Sequence, residues 1–143
     1  MEQDKHDKYV AFFTRGTNFK QMADIVNKKD KNALSLRLID HFLSRFTEVS
    51  YYYDNALVSP SQDYKRQLEV LTKVRFDPVR RGPRFEFRID NERAIDTTIA
   101  QLNFFTWAIK SGVLDFIKTN REQIAQSAAA TLRTKREQNC EEE

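Results

Sequence analysis

Cysteine occurs once in this 143-residue chain, as Cys140, so no disulfide can form within it. Glycine is confined to positions 16, 82 and 112, and three glycines so placed build neither a G-x-x-x-x-G-K-[ST] nor a G-x-G-x-x-G phosphate cradle. Histidine is limited to His6 and His41. Serine- or cysteine-type catalysis needs a base oriented beside the nucleophile, and that base is most often histidine. His6 lies in a polar N-terminal stretch, and His41, next to Phe42 on a helical pattern, reads as a hydrogen-bonded structural residue. One cysteine also gives no Cys/His zinc constellation. No run reaches the ~18 consecutive apolar residues of a membrane span. Met1-Glu2-Gln3-Asp4 is polar and acidic, unlike a secretory signal. These scarcities point to a non-enzymatic protein without cofactor or metal, not inserted in a membrane and kept in a cytosolic environment.

What is present is a globular composition, with 40% hydrophobic and 31% charged residues, which fits one domain with one core. The 24 basic and 21 acidic residues leave a net charge of +3, a weak argument for nucleic acid. Distribution says more. Between Lys73 and Arg93 there are seven basic and four acidic residues, and six of the seven are arginine. Aromatic residues are plentiful, with 11 Phe, 5 Tyr and Trp107.

The most informative segment runs from Thr97 to Ile109. Thr98 followed by Gln101 predicts a reciprocal capping pair, and Gly112 predicts the stop. Ile99, Leu102, Phe105 and Ile109 form one stripe, while Phe104, Trp107 and Ala108 form a second, so this helix must be covered on both sides. A second strong helix is expected from an Asn32 cap to Phe46, with Leu36, Ile39, Leu43 and Phe46 inward. Ser59-Pro60-Ser61-Gln62 predicts a third start, with Gln62 reaching back to the cap, and Tyr64, Leu68 and Leu71 inward. Ahead of these, a short helix ending near Gly16 carries Tyr9, Val10, Phe12 and Phe13. Phe19, Met22, Ile25 and Val26 then recur at helical spacing. Two strands are expected. Arg84–Asp90 alternates strictly, with Phe85, Phe87 and Ile89 on one face, and Glu48–Asp54 carries Tyr51, Tyr52 and Tyr53. They are expected to pair with one another, or the former with a segment around Leu57-Val58. The fold class is therefore α+β, a small antiparallel sheet packed against several helices in a single domain. Its parts are a peripheral helical segment at 1–31, a globular core at 32–132 and a charged tail at 133–143.

Two groups are candidates for contact. Arg80, Arg81 and Arg84 lie in or beside one loop, and Arg88 shares the outward strand face with Arg84, so four guanidinium groups can converge on carboxylate or phosphate. Their alternatives are a solvated face with local pairs to Glu86 and Asp77, an acidic partner protein, or a nucleic-acid backbone. Because each large aromatic can bury roughly 150–250 Å², the aromatic content exceeds what one small core readily hides. Phe12, Phe13, Tyr51, Tyr52 and Tyr53 are the candidates for an interface. Asp90, Glu92 and Asp96 read as turn and helix-start residues rather than metal ligands.

Phe76-Asp77-Pro78, then an aromatic strand, then Gln101-Leu102-Asn103-Phe104-Phe105, Trp107-Ala108-Ile109 and Val113-Leu114-Asp115-Phe116-Ile117, resemble a small family encoded by nucleocytoplasmic large DNA viruses. Its members are uncharacterised or described only as virion components. The resemblance spans about Leu68 to Lys118. Where its pattern follows Phe-Asp-Pro with an aromatic, a cysteine and two basic residues, this chain has Val79-Arg80-Arg81-Gly82. It also has Ala100 in place of a glycine, Thr106 in place of an arginine, and Glu141-Glu142-Glu143 in place of a longer basic tail. The resemblance implies a structural or assembly component of the virion, present also in the cytoplasm of the infected cell, with other viral proteins or copies of itself as partners. The alternative is a small nucleic-acid-binding or genome-packaging protein using the arginine group.

Overall fold

In the computed structural model, residues 3–28, 34–79 and 82–130 are described. In chain order the elements are α1 (Gln3–Thr14), α2 (Asn18–Asn27), α3 (Leu36–Arg45), β1 (Tyr51–Tyr53), β2 (Ala56–Val58), α4 (Pro60–Arg75), β3 (Phe85–Arg88), β4 (Ala94–Thr97), α5 (Ile99–Lys110) and α6 (Val113–Thr119). Residues 121–130 are also helical. The class is α+β, as expected. The pairing is not. β1 pairs with β2 and β3 with β4, giving two separate antiparallel hairpins instead of one sheet joining Glu48–Asp54 to Arg84–Asp90.

Local turns decide those pairings. Asp54 and Asn55 both take positive φ, +49° and +65°, the conformation of a type I′ turn whose twist suits a two-residue hairpin. Tyr52 therefore faces Leu57, and Tyr51 faces Val58. In the second hairpin, Asp90 Oδ1 accepts from the backbone N–H of Glu92 (3.0 Å) and Arg93 (2.7 Å), closing the turn expected at Asp90-Asn91-Glu92. β4 itself was not foreseen. Ala94-Ile95-Asp96-Thr97 alternates toward the core only at Ile95 and Thr97, too short a signal to separate from a helix approach.

α5 occupies the centre, packed against α1, α4 and α6, while α3 rests on α4 and α6. Ala100, Gln101, Leu102, Phe104, Phe105 and Ala108 are all buried on it, as two apolar stripes require. Thr98 is its N-cap, accepting from the Gln101 N–H at 3.1 Å. The Gln101 side chain does not return to the cap. It is fully buried, accepts from the Thr97 hydroxyl (2.7 Å) and donates through Nε2 to the Pro78 carbonyl (2.7 Å). The Asp77 N–H adds a bond to the Ala100 carbonyl, so the Phe76-Asp77-Pro78 bend is stitched to the first turn of α5. A buried amide with two partners does more here than an exposed capping box could.

Other expected starts shift for similar reasons. α3 is capped by Ser35, which accepts from the Leu38 N–H, whereas Asn32 lies outside the described residues. At α4, Asp63 instead of Gln62 reaches back, accepting from the Ser59 N–H at 3.1 Å. α4 is also interrupted at Thr72, whose φ of +62° and ψ of 168° leave the helical region.

The N-terminal helices are not peripheral. Phe13, Met22, Ile25 and Val26 join the same core as Phe42, Phe76, Phe87 and Phe105. Rings meet edge-on or tilted through much of it, with Phe104 5.4 Å from Phe105 and 5.5 Å from Phe76, and Trp107 5.6 Å from Phe76. This arrangement hides more aromatic surface than the composition suggested. None of the 11 phenylalanines is exposed, and among the aromatic residues only Tyr52 is.

Candidate functional site

Two of the four arginines fall among the described residues. Arg80 and Arg81 lie outside the described residues. Arg84 and Arg88 are exposed on the wet side of β3, as alternation demands. Arg88 is engaged at home: Nη2 lies 2.8 Å from Glu86 Oε1, Nε donates to the same oxygen, and Nη1 donates to the carbonyls of Asp90 (3.1 Å) and Asn91 (3.0 Å). The local pair to Glu86 is thus real, while Asp77 is buried and accepts from the Val79 N–H. Arg93, in turn, pairs with Asp90 at 2.8 Å. Hydrogen bonds from the Arg93 side chain first, and from the backbone of Glu92 and Arg93 after it, hold the Asp90 carboxyl below its ordinary range.

The aromatic candidates are also sorted. Phe13 is in the core, fully buried, and offers no surface. Tyr51 stacks on Phe116 at 4.8 Å, and its hydroxyl donates to the Ser111 carbonyl (3.0 Å). Burial, with Asp63 nearby, pushes that phenol well above its usual value. Tyr53 lies over Gly112. Tyr52 points the other way and is 77% exposed beside its strand partner Leu57, 60% exposed. His41 is structural, with Nε2 3.0 Å from Ser127 Oγ and its ring edge-on to Phe46.

A third feature escaped the sequence reading. α1 carries Lys5, Lys8, Tyr9 and Phe12, residues spaced i, i+3, i+4 and i+7, so two ammonium groups and two rings share one helix face. That face forms one wall of a cavity of about 730 Å³. Leu71 and Arg75 of α4 form the opposite wall, and Ile99, Asn103, Thr106 and Lys110 of α5 form the floor. Asn103 ties the walls together: its Oδ1 accepts from the Tyr9 hydroxyl, and its Nδ2 donates to the Arg75 carbonyl (2.8 Å). Burial raises the Tyr9 phenol above its ordinary value despite that bond, so it stays protonated near neutrality. Lys110 Nζ sits 5.4 Å from the centre of the Phe12 ring.

Four cations thus line a partly apolar trough, and among the described residues lining it none is acidic. Leu71, Asn103, Thr106 and Lys110 also line a second cavity of about 500 Å³, which extends toward Tyr53, Asp54 and Trp107. The floor hydroxyl of Thr106 is committed to the Leu102 carbonyl, and Thr98 to its cap. The chemistry on offer is recognition of an anion with an apolar part. Among the described residues, no group of three His, Cys, Asp or Glu side chains could hold a metal ion, and no helix is long and apolar enough to cross a membrane.

Residues 2–143 match a family of unknown function (DUF7197), and the chain belongs to that family. It is also 24% identical, over 144 residues, to "Uncharacterized protein L507" of Acanthamoeba polyphaga mimivirus, an alignment that takes in 92% of this chain and 55% of the relative. The chain therefore spans about half the length of that viral relative. The viral source agrees with the context that the sequence resemblance implied. No solved structure matches.

Proposed function

We propose that this member of the family is a non-enzymatic structural or assembly component of a large DNA virus particle, acting through protein–protein contacts. The supporting observation is the outer face of the β1–β2 hairpin. In a fold that shelters every other aromatic side chain, Tyr52 and Leu57 stand exposed and directly opposite one another. A cross-strand tyrosine–leucine pair is a ready anchor, because aromatic residues are enriched where interfaces bury their centres. The viral relative supports a viral context and no more; within it, we place the protein in the virion and in the cytoplasm of the infected cell, with copies of itself or other viral proteins as partners. The nucleic-acid alternative loses ground on β3, where the Arg88 charge is offset by Glu86.

Sedimentation velocity over a range of concentrations tests the reading. Wild-type protein should self-associate, and Tyr52→Ser should remain monomeric with an unchanged melting temperature. A wild-type chain that stays monomeric at high concentration and is absent from fractionated particles would overturn the proposal. If instead it bound duplex DNA of arbitrary sequence with a steep fall between low and physiological salt, and Arg84→Ala weakened that binding, the packaging alternative would take its place.

A further inference from the structure

We infer that the trough over α5 is a docking groove for an acidic peptide segment of a partner protein. The acidic side chains would lie against Lys5, Lys8, Arg75 and Lys110, and an apolar side chain would enter the neighbouring cavity beside Trp107. The inference rests on the groove alone and stands or falls apart from the Tyr52–Leu57 face.

Charge is the first argument. The whole chain carries a net charge of only +3, yet four cations from three different helices line one trough in which no described side chain is acidic. None of Lys5, Lys8 or Arg75 forms an ion pair with another described residue. Lys5 stands in the first turn of α1, where positive charge opposes the helix dipole. Its position costs helix stability slightly and brings no ion-pair partner among the described residues. Like charges gathered over low-dielectric walls focus a positive potential into the trough, which an incoming carboxylate would relieve.

Shape and polarity select the occupant. The trough of about 730 Å³ and a cavity of about 500 Å³ share Leu71, Asn103, Thr106 and Lys110 in their linings, so the two lie side by side, and a chain can engage both where a compact solute would fill one. The two lobes differ in charge. The first is lined by four cations, whereas the lining of the second includes Asp54 as well as Lys110, with Tyr53, Val58 and Trp107. Evenly spaced phosphates would run from the cations into the Asp54 carboxylate. A peptide can place its acidic residues in the first lobe and a leucine or phenylalanine in the second.

Selection of roughly twelve-residue random peptides displayed on phage against the full chain provides the probe. The selected peptides, labelled with fluorescein, are then measured by anisotropy. They should carry a run of Asp or Glu beside an aliphatic or aromatic residue. Reversal of two exposed charges in the Lys5→Glu/Lys8→Glu variant should weaken their binding about tenfold or more. Both side chains are exposed, and an acidic residue at position 5 favours the start of α1, so the melting temperature should hold; a thermal melt of the variant separates lost binding from unfolding. Thr106→Trp, which fills the waist between the lobes and leaves every charge in place, should weaken binding as well. The proposal is overturned if no peptide is selected, if the selected peptides lack acidic enrichment, or if either variant binds them like wild type. It is likewise overturned if a labelled oligothymidylate displaces the peptides and binds the groove more tightly.

Discussion

Replacing Gln101 by leucine probes the bond that fastens the Phe76-Asp77-Pro78 bend to the central helix. The side chain is fully buried and has two partners, the Thr97 hydroxyl and the Pro78 carbonyl, each at 2.7 Å. Leucine is close in volume, so no large cavity forms and the polar loss is isolated. Each buried group left without a partner costs about 1–3 kcal/mol. Since the Thr97 hydroxyl can turn to seek another acceptor and leucine regains some apolar burial, the net loss should be roughly 2–4 kcal/mol. That is a large part of the ~5–15 kcal/mol that holds a domain together. For a chain of this length it corresponds to a fall in melting temperature of roughly 10 °C. Urea unfolding followed by circular dichroism and by Trp107 fluorescence should show a lower midpoint with an unchanged slope. Two further variants sharpen the case. Thr97→Val in the Gln101→Leu background should restore part of the loss, because one orphaned hydroxyl is gone. Gln101→Glu should depend on pH. The acid can accept from Thr97 in either state but can donate to the Pro78 carbonyl only when protonated, and burial also disfavours its charge, so its folded pKa is raised. Its stability relative to wild type should be greatest below the ordinary glutamate range and fall as pH rises through the raised value. A Gln101→Leu protein as stable as wild type would refute the reasoning and show that the bend is held by the Asp77–Ala100 backbone bond alone.

Gly112→Ala should cost about 2 kcal/mol or more, because φ is +74° and the added Cβ would lie 2.5 Å from Tyr53 Cδ2 and 2.8 Å from its Cγ, a ring that cannot swing aside without disturbing the hairpin; thermal melting reads this directly, and an unshifted melting temperature would show the hairpin to be loosely seated. The His41 imidazole is held below its usual 6.5 by burial first and by the nearby Arg45 second, so the unfolded chain takes up the proton before the folded one does. Its contribution to stability is then complete above about pH 6.5 and is lost as pH falls through the folded value; a His41 ring resonance titrating at or above 6.5 would contradict this.

What could be read from residues alone follows the range of the interactions. α5 was legible because its cap, its stop and both apolar stripes fall within the fifteen residues from Thr98 to Gly112. Phe87 was legible as an inward strand residue because alternation is local. The partner of its strand was not, since Ala94-Ile95-Asp96-Thr97 has no aromatic residue to announce it, and the tighter hairpin turn won over a longer-range pairing. Gln101 looked like a capping residue because its true partners include a carbonyl 23 positions away. The cationic groove had half a signature, the Lys5, Lys8, Tyr9 and Phe12 spacing. Its other half comes from Arg75 and Lys110, and only the packing of α4 and α5 brings these to the same trough. Tyr52 was singled out with four companions, and burial alone separated it from them.

Because each hairpin joins strands that follow one another directly, the chain reaches much of its structure at little loop-closure cost. The bond from Tyr9 to Asn103 is different, since it bridges 94 positions. Ordering α1 against α5 closes a loop of that length, so it is expected to come late in folding even though Phe13 is buried in the core. The α1 amides should exchange with solvent sooner than those of α5. One wall of the groove thus exists only when α1 is docked, and whatever fills the groove should slow exchange along that helix more than anywhere else.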